Sequence, residues 1–367
     1  MAQVQETVLE IDLNALQHNF EYLKSKLKEK TKTLAVVKAF GYGTDACIVA
    51  KHLEKLNVDY FAVAYVNEGV ALREAGIKTP ILVLHPQVVN FKTLINYCLE
   101  PNLYCKQVLE AFEEIAKTEN QKDYPIHIKF NSGLNRLGFS EDDTNDVIDI
   151  LNETNAIKVA SIFSHLAASE DLKEKEFSER QIEVFEEIIE KFKSNLNYQP
   201  LSHMANTSGI LNYPETHFDM VRMGIGLYGF ANDEEFTKQF RNVASLKSII
   251  SQIHTIKKGQ SVGYNRAYKA EKKIKTATIP IGHADGIHRA FGNGKGYVHI
   301  NGVKAPIVGN VCMDMLMVNV SNINCEEGDE VIIFDNQETV NDLSISINTI
   351  PYEILTAISR RVRRIVK

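Results

Sequence analysis

Apolar residues fall along this chain in two rhythms. Short runs of consecutive Val, Ile, Leu and aromatic residues alternate with longer segments in which apolar residues return every third or fourth position. The first pattern reads as buried strand and the second as amphipathic helix. Residues 7–12 alternate like a short strand, and Asp12 stands where it can cap a helix bearing Leu16, Phe20, Leu23 and Leu27 on one face. Strand-like runs follow at 33–38, 60–65, 81–84, 102–105, 126–130, 157–163, 201–205 and 220–228. Helical segments separate most of them, near 48–56, 68–75, 108–116, 142–151 and 177–193. Strands alternating with helices predict a parallel sheet with helical crossovers, and eight such units fit a closed (β/α)8 barrel better than an open sheet.

After about residue 230 the long helices give way to strand-like runs at 248–256, 275–281, 296–300, 315–320 and 330–334. Asn301-Gly302 is a hairpin signal between two of them. The expectation is an α/β protein: an N-terminal TIM-like barrel over 1–235 and a mostly β domain over 236–367. The first strand, near 5–12, is free to pair with the second domain. The tail 360–367 carries four arginines interleaved with Val362, Ile365 and Val366, which reads as a packed segment and not as a nucleic-acid patch.

Composition narrows the class. The 367 residues are 44% hydrophobic and 24% charged, with a net charge of −6. That balance suits a soluble globular protein and gives no general basic surface for nucleic acid. The first residues lack a basic and apolar leader, and no window has the roughly 18 apolar residues of a membrane span, so a cytoplasmic location without membrane contact is expected. The five cysteines include no CxxC pair, which fits a reducing compartment and argues against a zinc site. No P-loop or dinucleotide fingerprint is present.

In a barrel the chemistry sits at the C-terminal ends of the strands. The polar residues there are Lys38, Lys129, His165, Asn206, Thr207 and Arg222. Taken alone, Lys38 reads as a strand-end lysine reaching for solvent. With its proton affinity lowered by partial burial, it reads as a nucleophile for a carbonyl. Among further motifs are Glu10-Ile11-Asp12-Leu13, Val37-Lys38-Ala39 with Tyr42-Gly43, and Lys129 followed by Gly133-Leu134-Asn135-Arg136. Others are Ser164-His165, His203-Met204-Ala205-Asn206, Asp219-Met220-Val221-Arg222-Met223-Gly224-Ile225, Gly263-Tyr264, Cys312-Met313-Asp314 and Tyr352-Glu353.

In this order and spacing the motifs resemble the bacterial alanine racemases, pyridoxal-phosphate enzymes with a barrel and a β domain, along nearly the whole chain. The resemblance implies pyridoxal 5'-phosphate held covalently on Lys38, with Arg222 facing its ring nitrogen. It places Tyr42, Asn206, Thr207, Gly224, Ile225 and Tyr352 in the cofactor site, most of them around the phosphate. It makes Lys38 and Tyr264 the two bases, on opposite faces of the substrate, with His165 supporting Tyr264. Arg136 and Met313 belong to the substrate site, and Lys129 matches a lysine that is carbamylated in many relatives. Tyr264 and Met313 reach in from a second copy, so a homodimer is implied, acting on alanine and supplying D-alanine for peptidoglycan. A broader racemase that also takes serine, a decarboxylase of the same fold, a non-catalytic cofactor carrier and one part of a larger fused enzyme are the alternatives. The chain departs from the family at Phe40-Gly41, Thr44-Asp45, Asn131, Glu170, His283 and Asn310. Those at 170, 283 and 310 match the substrate entrance, and the expectation there is tolerance of serine.

Overall fold

The computed structural model describes residues 6–231 and 233–367. The expectations for the first residues fall on 1–5, which lie outside the described residues. Eight strands form the barrel: β2 (Lys32–Val36), β3 (Tyr60–Val63), β4 (Ile81–Val83), β5 (Glu100–Leu103), β6 (Tyr124–Lys129), β7 (Ile157–Phe163), β8 (Leu201–His203) and β9 (Met220–Met223). They follow β1 (Val8–Ile11) in the chain. Neighbours pair in parallel in the order β8-β7-β6-β5-β4-β3-β2-β9. Backbone hydrogen bonds close the ring between the outer two, from Asp219 N to Ser202 O at 3.1 Å and from Arg222 N to Ala205 O at 3.0 Å. The strands are buried on both faces, so their apolar runs are continuous.

The helices between strands pack their apolar stripes on the barrel. The helix Leu13–Lys24 turns Leu16, Phe20 and Leu23 inward, with Asp12 capping it by accepting from Ala15 N at 2.9 Å. The helix Ala46–Lys55 buries Val49, Ala50 and Leu53.

The second half holds β10 (Ala244–Ile249), β11 (Gln252–Ile256), β12 (Ser261–Val262), β13 (Tyr268–Lys269), β14 (Ile274–Ile279), β15 (Tyr297–Ile300), β16 (Val303–Pro306), β17 (Leu316–Asn319), β18 (Glu330–Phe334) and β19 (Arg363–Val366). One sheet runs β16-β15-β18-β10-β1-β19 and another β11-β14-β17. The single strand expected at 248–256 is therefore two strands in different sheets. The chain changes partner between them: Ile250 N bonds Asp329 O, and Ser251 N bonds Thr278 O. The hairpin at Asn301-Gly302 joins β15 to β16, and both turn residues have positive φ. The arginine tail is a packed strand, since β19 lies parallel to β1.

A candidate active site at the mouth of the barrel

Lys38 stands two residues past the end of β2, not inside the strand as its apolar run suggests. From Ala39 to Gly43 every residue has positive φ. Such a left-handed run costs roughly 1–2 kcal/mol for each residue that is not glycine, so the surroundings must hold it. Glu68 accepts from Ala39 N at 2.7 Å and from Ala64 N at 2.7 Å, tying the ends of β2 and β3 together. Thr44 Oγ1 donates to Gly41 O, and Asp45 caps the next helix by accepting from Cys47 N and Ile48 N. The Phe40 ring lies 4.4 Å under the Arg360 guanidinium. The departures at 40–41 and 44–45 thus serve this turn.

A cavity of about 690 Å³ opens at the barrel mouth, and Lys38, Lys129, Arg136, His165 and Arg222 all line it. Tyr42, Asn206, Thr207, Gly224, Ile225 and Tyr352 line it too. The structure therefore brings together every site residue expected from the first half of the chain, and Tyr352 from the second. Burial lowers the proton affinity of Lys38, helped by Arg136 and opposed by Glu68. Lys129 falls from 10.5 to about 8, through burial first and then the charges of Arg136, Arg222 and Lys38. Arg222 is buried, and its pKa is lowered to about 9 by burial and Arg136, which leaves it protonated at neutral pH. It donates to Ser164 O at 2.9 Å, Met204 O at 2.8 Å, His203 Nδ1 at 2.7 Å and His165 Nδ1 at 2.8 Å. Burial and Arg222 hold His165 well below the usual histidine range, so it is neutral. Its Nδ1 accepts from Arg222, and its proton therefore sits on Nε2.

On the opposite side of the cavity the Tyr42 ring stacks on Tyr228, centroids 4.5 Å apart. Thr207 Oγ1 accepts from Gly224 N and Gly226 N, each at 3.2 Å. A Cβ on Gly224 would lie 3.2 Å from Tyr42 Oη and 3.9 Å from Thr207 Oγ1. The glycine keeps open a small space that the two hydroxyls border. Cations crowd the rest of the mouth, so its chemistry suits a small ligand with a phosphate and a carboxylate.

Arg136 sits on the loop after β6, which Asn131 shapes: its Oδ1 accepts from Gly133 N at 3.2 Å and Asn135 N at 2.9 Å, and its Nδ2 donates to Asn135 Oδ1. Tyr264 and Met313 are elsewhere. They line a separate cavity of about 740 Å³ in the β domain and are 71% and 59% exposed. Asn310 Nδ2 holds Tyr264 O at 3.3 Å, and Arg361 bridges Asp285 and Asp314 at 2.6 Å each to fix the 312–314 loop. Sequence reasoning missed Glu68 and a buried polar row of Glu100, His127 and Ser161 beside His203. One signal was available: His127 lies two residues before Lys129 on β6 and so points to the same side.

Fold and site together define a two-domain barrel enzyme with a cationic, lysine-bearing mouth. A family model for the alanine racemase N-terminal domain matches residues 11–232, and one for the C-terminal domain matches 243–366. The chain belongs to the alanine racemase family. It is 34% identical to alanine racemase 2 of Caldanaerobacter subterraneus subsp. tengcongensis, over 99% of this chain and 95% of that one. Among solved structures, alanine racemase of Clostridium difficile 630 superposes with a TM-score of 0.93 at 34% identity, over 99% and 96% of the two chains. Alanine racemase of Bartonella henselae, solved with covalently bound pyridoxal phosphate, does so with a TM-score of 0.89 at 27% identity, over 99% and 100%.

Proposed function

We propose that this chain interconverts L- and D-alanine with pyridoxal 5'-phosphate bound covalently to Lys38, as a homodimer. One observation carries the reading: a lysine of lowered proton affinity shares a cavity with a buried, protonated Arg222 and an open space between the Tyr42 and Thr207 hydroxyls. The residues fit the cofactor. Tyr42, Thr207, Gly224, Ile225 and Tyr352 would hold its phosphate, Asn206 would brace Thr207, and Arg222 would face its ring nitrogen. The bound cofactor supplies the electron withdrawal that makes the Cα–H of an attached amino acid acidic. Every other task falls to side chains.

Lys38 exchanges the Cα proton on one face, and its lowered proton affinity provides the neutral amine this needs. Arg222 would donate a hydrogen bond to the ring nitrogen and keep its own proton at neutral pH. Arg136 orients the substrate carboxylate. Lys129, with a pKa near 8, has a neutral fraction able to take up carbon dioxide, and the resulting carbamate would be an anion against Arg136. A labelled-bicarbonate carbon signal that persists in Lys129→Met would remove that part. Tyr264 of the partner subunit exchanges the proton on the other face, and the neutral His165 offers it an Nε2–H. The exposure of Tyr264 and Met313, away from Lys38 in one chain, supports completion of the site in trans. The cysteines are all unpaired, which fits the proposed cytoplasmic setting, where the D-alanine would serve peptidoglycan.

Chiral chromatography of alanine turnover tests the reading. Wild type should racemise both enantiomers, Lys38→Ala should be inactive, and Tyr264→Phe should lose abstraction from L-alanine most. Undiminished turnover in Lys38→Ala would refute it. Light scattering of an active species at monomer mass would overturn the dimer.

A further inference from the structure

Barrel interiors are ordinarily filled by layers of apolar side chains. Here a row of polar side chains crosses the interior, one from each of five consecutive strands. Glu100 on β5 accepts from His127 Nε2 on β6 at 2.7 Å. His127 Nδ1 is 2.6 Å from Ser161 Oγ on β7, and Ser161 Oγ is 2.9 Å from His203 Nε2 on β8. His203 Nδ1 accepts from Arg222 on β9 at 2.7 Å. His127, Ser161 and His203 are fully buried, and Glu100 is 8% exposed. The rings are held in plane: His203 stacks on Phe163 at 4.8 Å, and Tyr60 meets His127 edge-on at 5.8 Å.

The two ends, with both histidines neutral, fix the direction of every bond between them. A guanidinium only donates and a carboxylate only accepts. His203 must accept at Nδ1, so when neutral it carries its proton on Nε2 and donates to Ser161. With His127 neutral, the Ser161 hydroxyl is committed to its Nδ1, and His127 carries its proton on Nε2 and donates to Glu100. The row is a one-way chain of donors from a buried cation to an acid on the far strand. Arg222 is buried and gains from such an acid, because the charge that bears on it most directly, Arg136, is a cation. A buried charge without an opposite charge is costly, and a hydrogen-bonded chain in a low-dielectric interior transmits polarisation.

We propose that Glu100 is the remote counter-charge of Arg222, acting through His127, Ser161 and His203, and is a positioning residue for the reaction at the barrel mouth. It keeps the Arg222 hydrogen bonds aimed and strong without touching substrate or cofactor. The proposal rests on Arg222 as the partner of the ring nitrogen. Arg73, Tyr60 and Tyr124 feel the Glu100 charge directly, whereas Arg222 is linked to it only through the row of hydrogen bonds. Arg73, however, spends its own N–H groups on the carbonyls of Tyr97, Ile77, Thr79 and Cys98.

The test uses the full holoenzyme with Glu100→Gln, which keeps an acceptor and removes the charge, with Ser161→Ala, which cuts the chain of hydrogen bonds, and with the double variant. In wild type, 15N NMR should find His127 and His203 both neutral with the proton on Nε2. Each single variant should lower kcat about tenfold with KM nearly unchanged, and the double variant should be no slower than Ser161→Ala, because a cut row no longer carries the charge. A His203 proton on Nδ1 in wild type overturns the proposal. So does wild-type kcat in Glu100→Gln, or losses that multiply in the double variant. If a variant does not fold, the wild-type tautomers still decide. Failure of wild type to racemise alanine would sink the functional reading instead, and the tautomers alone would then decide whether the row runs from Arg222 to Glu100.

Discussion

Replacing Arg364 by lysine should loosen the turn that presents Lys38. The Arg364 guanidinium donates from Nε to Thr44 O at 2.9 Å and from Nη2 to Gly43 O at 2.7 Å, and both acceptors lie just past Lys38. Its remaining N–H groups go to Ile358 O, Ser359 O and Val362 O. All five donors of the fork are thus in use. An ammonium carries three donors on one atom, so at least two carbonyls are left without a partner in Arg364→Lys. Each such loss costs about 1–3 kcal/mol when buried. Arg364 is half-buried, and water can replace part of the loss. The net destabilisation should be about 2–4 kcal/mol, or about 3–5 °C in melting temperature for a chain of this size. Cofactor affinity should fall about tenfold, because the carbonyls that come free belong to the Lys38 turn. Thermal unfolding with and without pyridoxal phosphate, and cofactor titration, measure both. The control is Arg360→Lys, which keeps a cation near Phe40 and should cost no more than about 1 kcal/mol. A melting temperature within about 1 °C of wild type, together with unchanged cofactor affinity in Arg364→Lys, would refute the reasoning.

Lys129 makes stability depend on pH. The unfolded chain keeps this proton to about 10.5 and the folded protein releases it near 8, so the unfolded state binds more protons in between and stability rises as pH climbs through that window. The rise should be about 3 kcal/mol and should vanish in Lys129→Met, as urea midpoints at the two ends of the window would reveal; an equal rise in both proteins contradicts it. Gly43→Ala should disable the protein: its Cβ would lie 2.0 Å from Leu355 O, at a φ of +83°. Gly76→Ala, at φ +93° with nothing within 4 Å, should cost only the backbone strain of about 1–2 kcal/mol, so equal losses in the two variants would reject the contact as the cause. Serine should be turned over at no less than about one-hundredth of the alanine rate if His283 and Asn310 widen the entrance, and a lower rate ends that idea.

The barrel was legible because parallel strands buried on both faces leave unbroken apolar runs that helices punctuate. Lys38 was legible only in company: alone it reads as a strand-end lysine reaching for solvent, and the motifs at the other strand ends marked it out. The break at Ile250-Ser251 was not, because both halves keep a strand-like composition and only their partners change. The Glu100, His127, Ser161 row was not either. Its members lie roughly 25 to 40 residues apart, and only closure of the barrel makes neighbours of β8 and β9. Phe40 had no account until the tail folded back, since its cationic partners Arg360 and Arg364 come from the far end of the chain.

The place of β1 bears on how the protein is made. It lies between β10 and β19, with Val8 opposite Lys247 on one side and Arg363 on the other. A ribosome releases residues 8–11 well before 363–366, so this strand waits through synthesis of the barrel and most of the second domain for one of its edges to be covered. Each barrel strand from β3 to β8 meets a sequence neighbour as it appears, and β2 waits only for β9, but β1 waits for both its partners, β10 and β19. Until then it is an apolar edge of the kind that pairs with another chain, and the nascent protein is most exposed to aggregation at the sheet that is completed last.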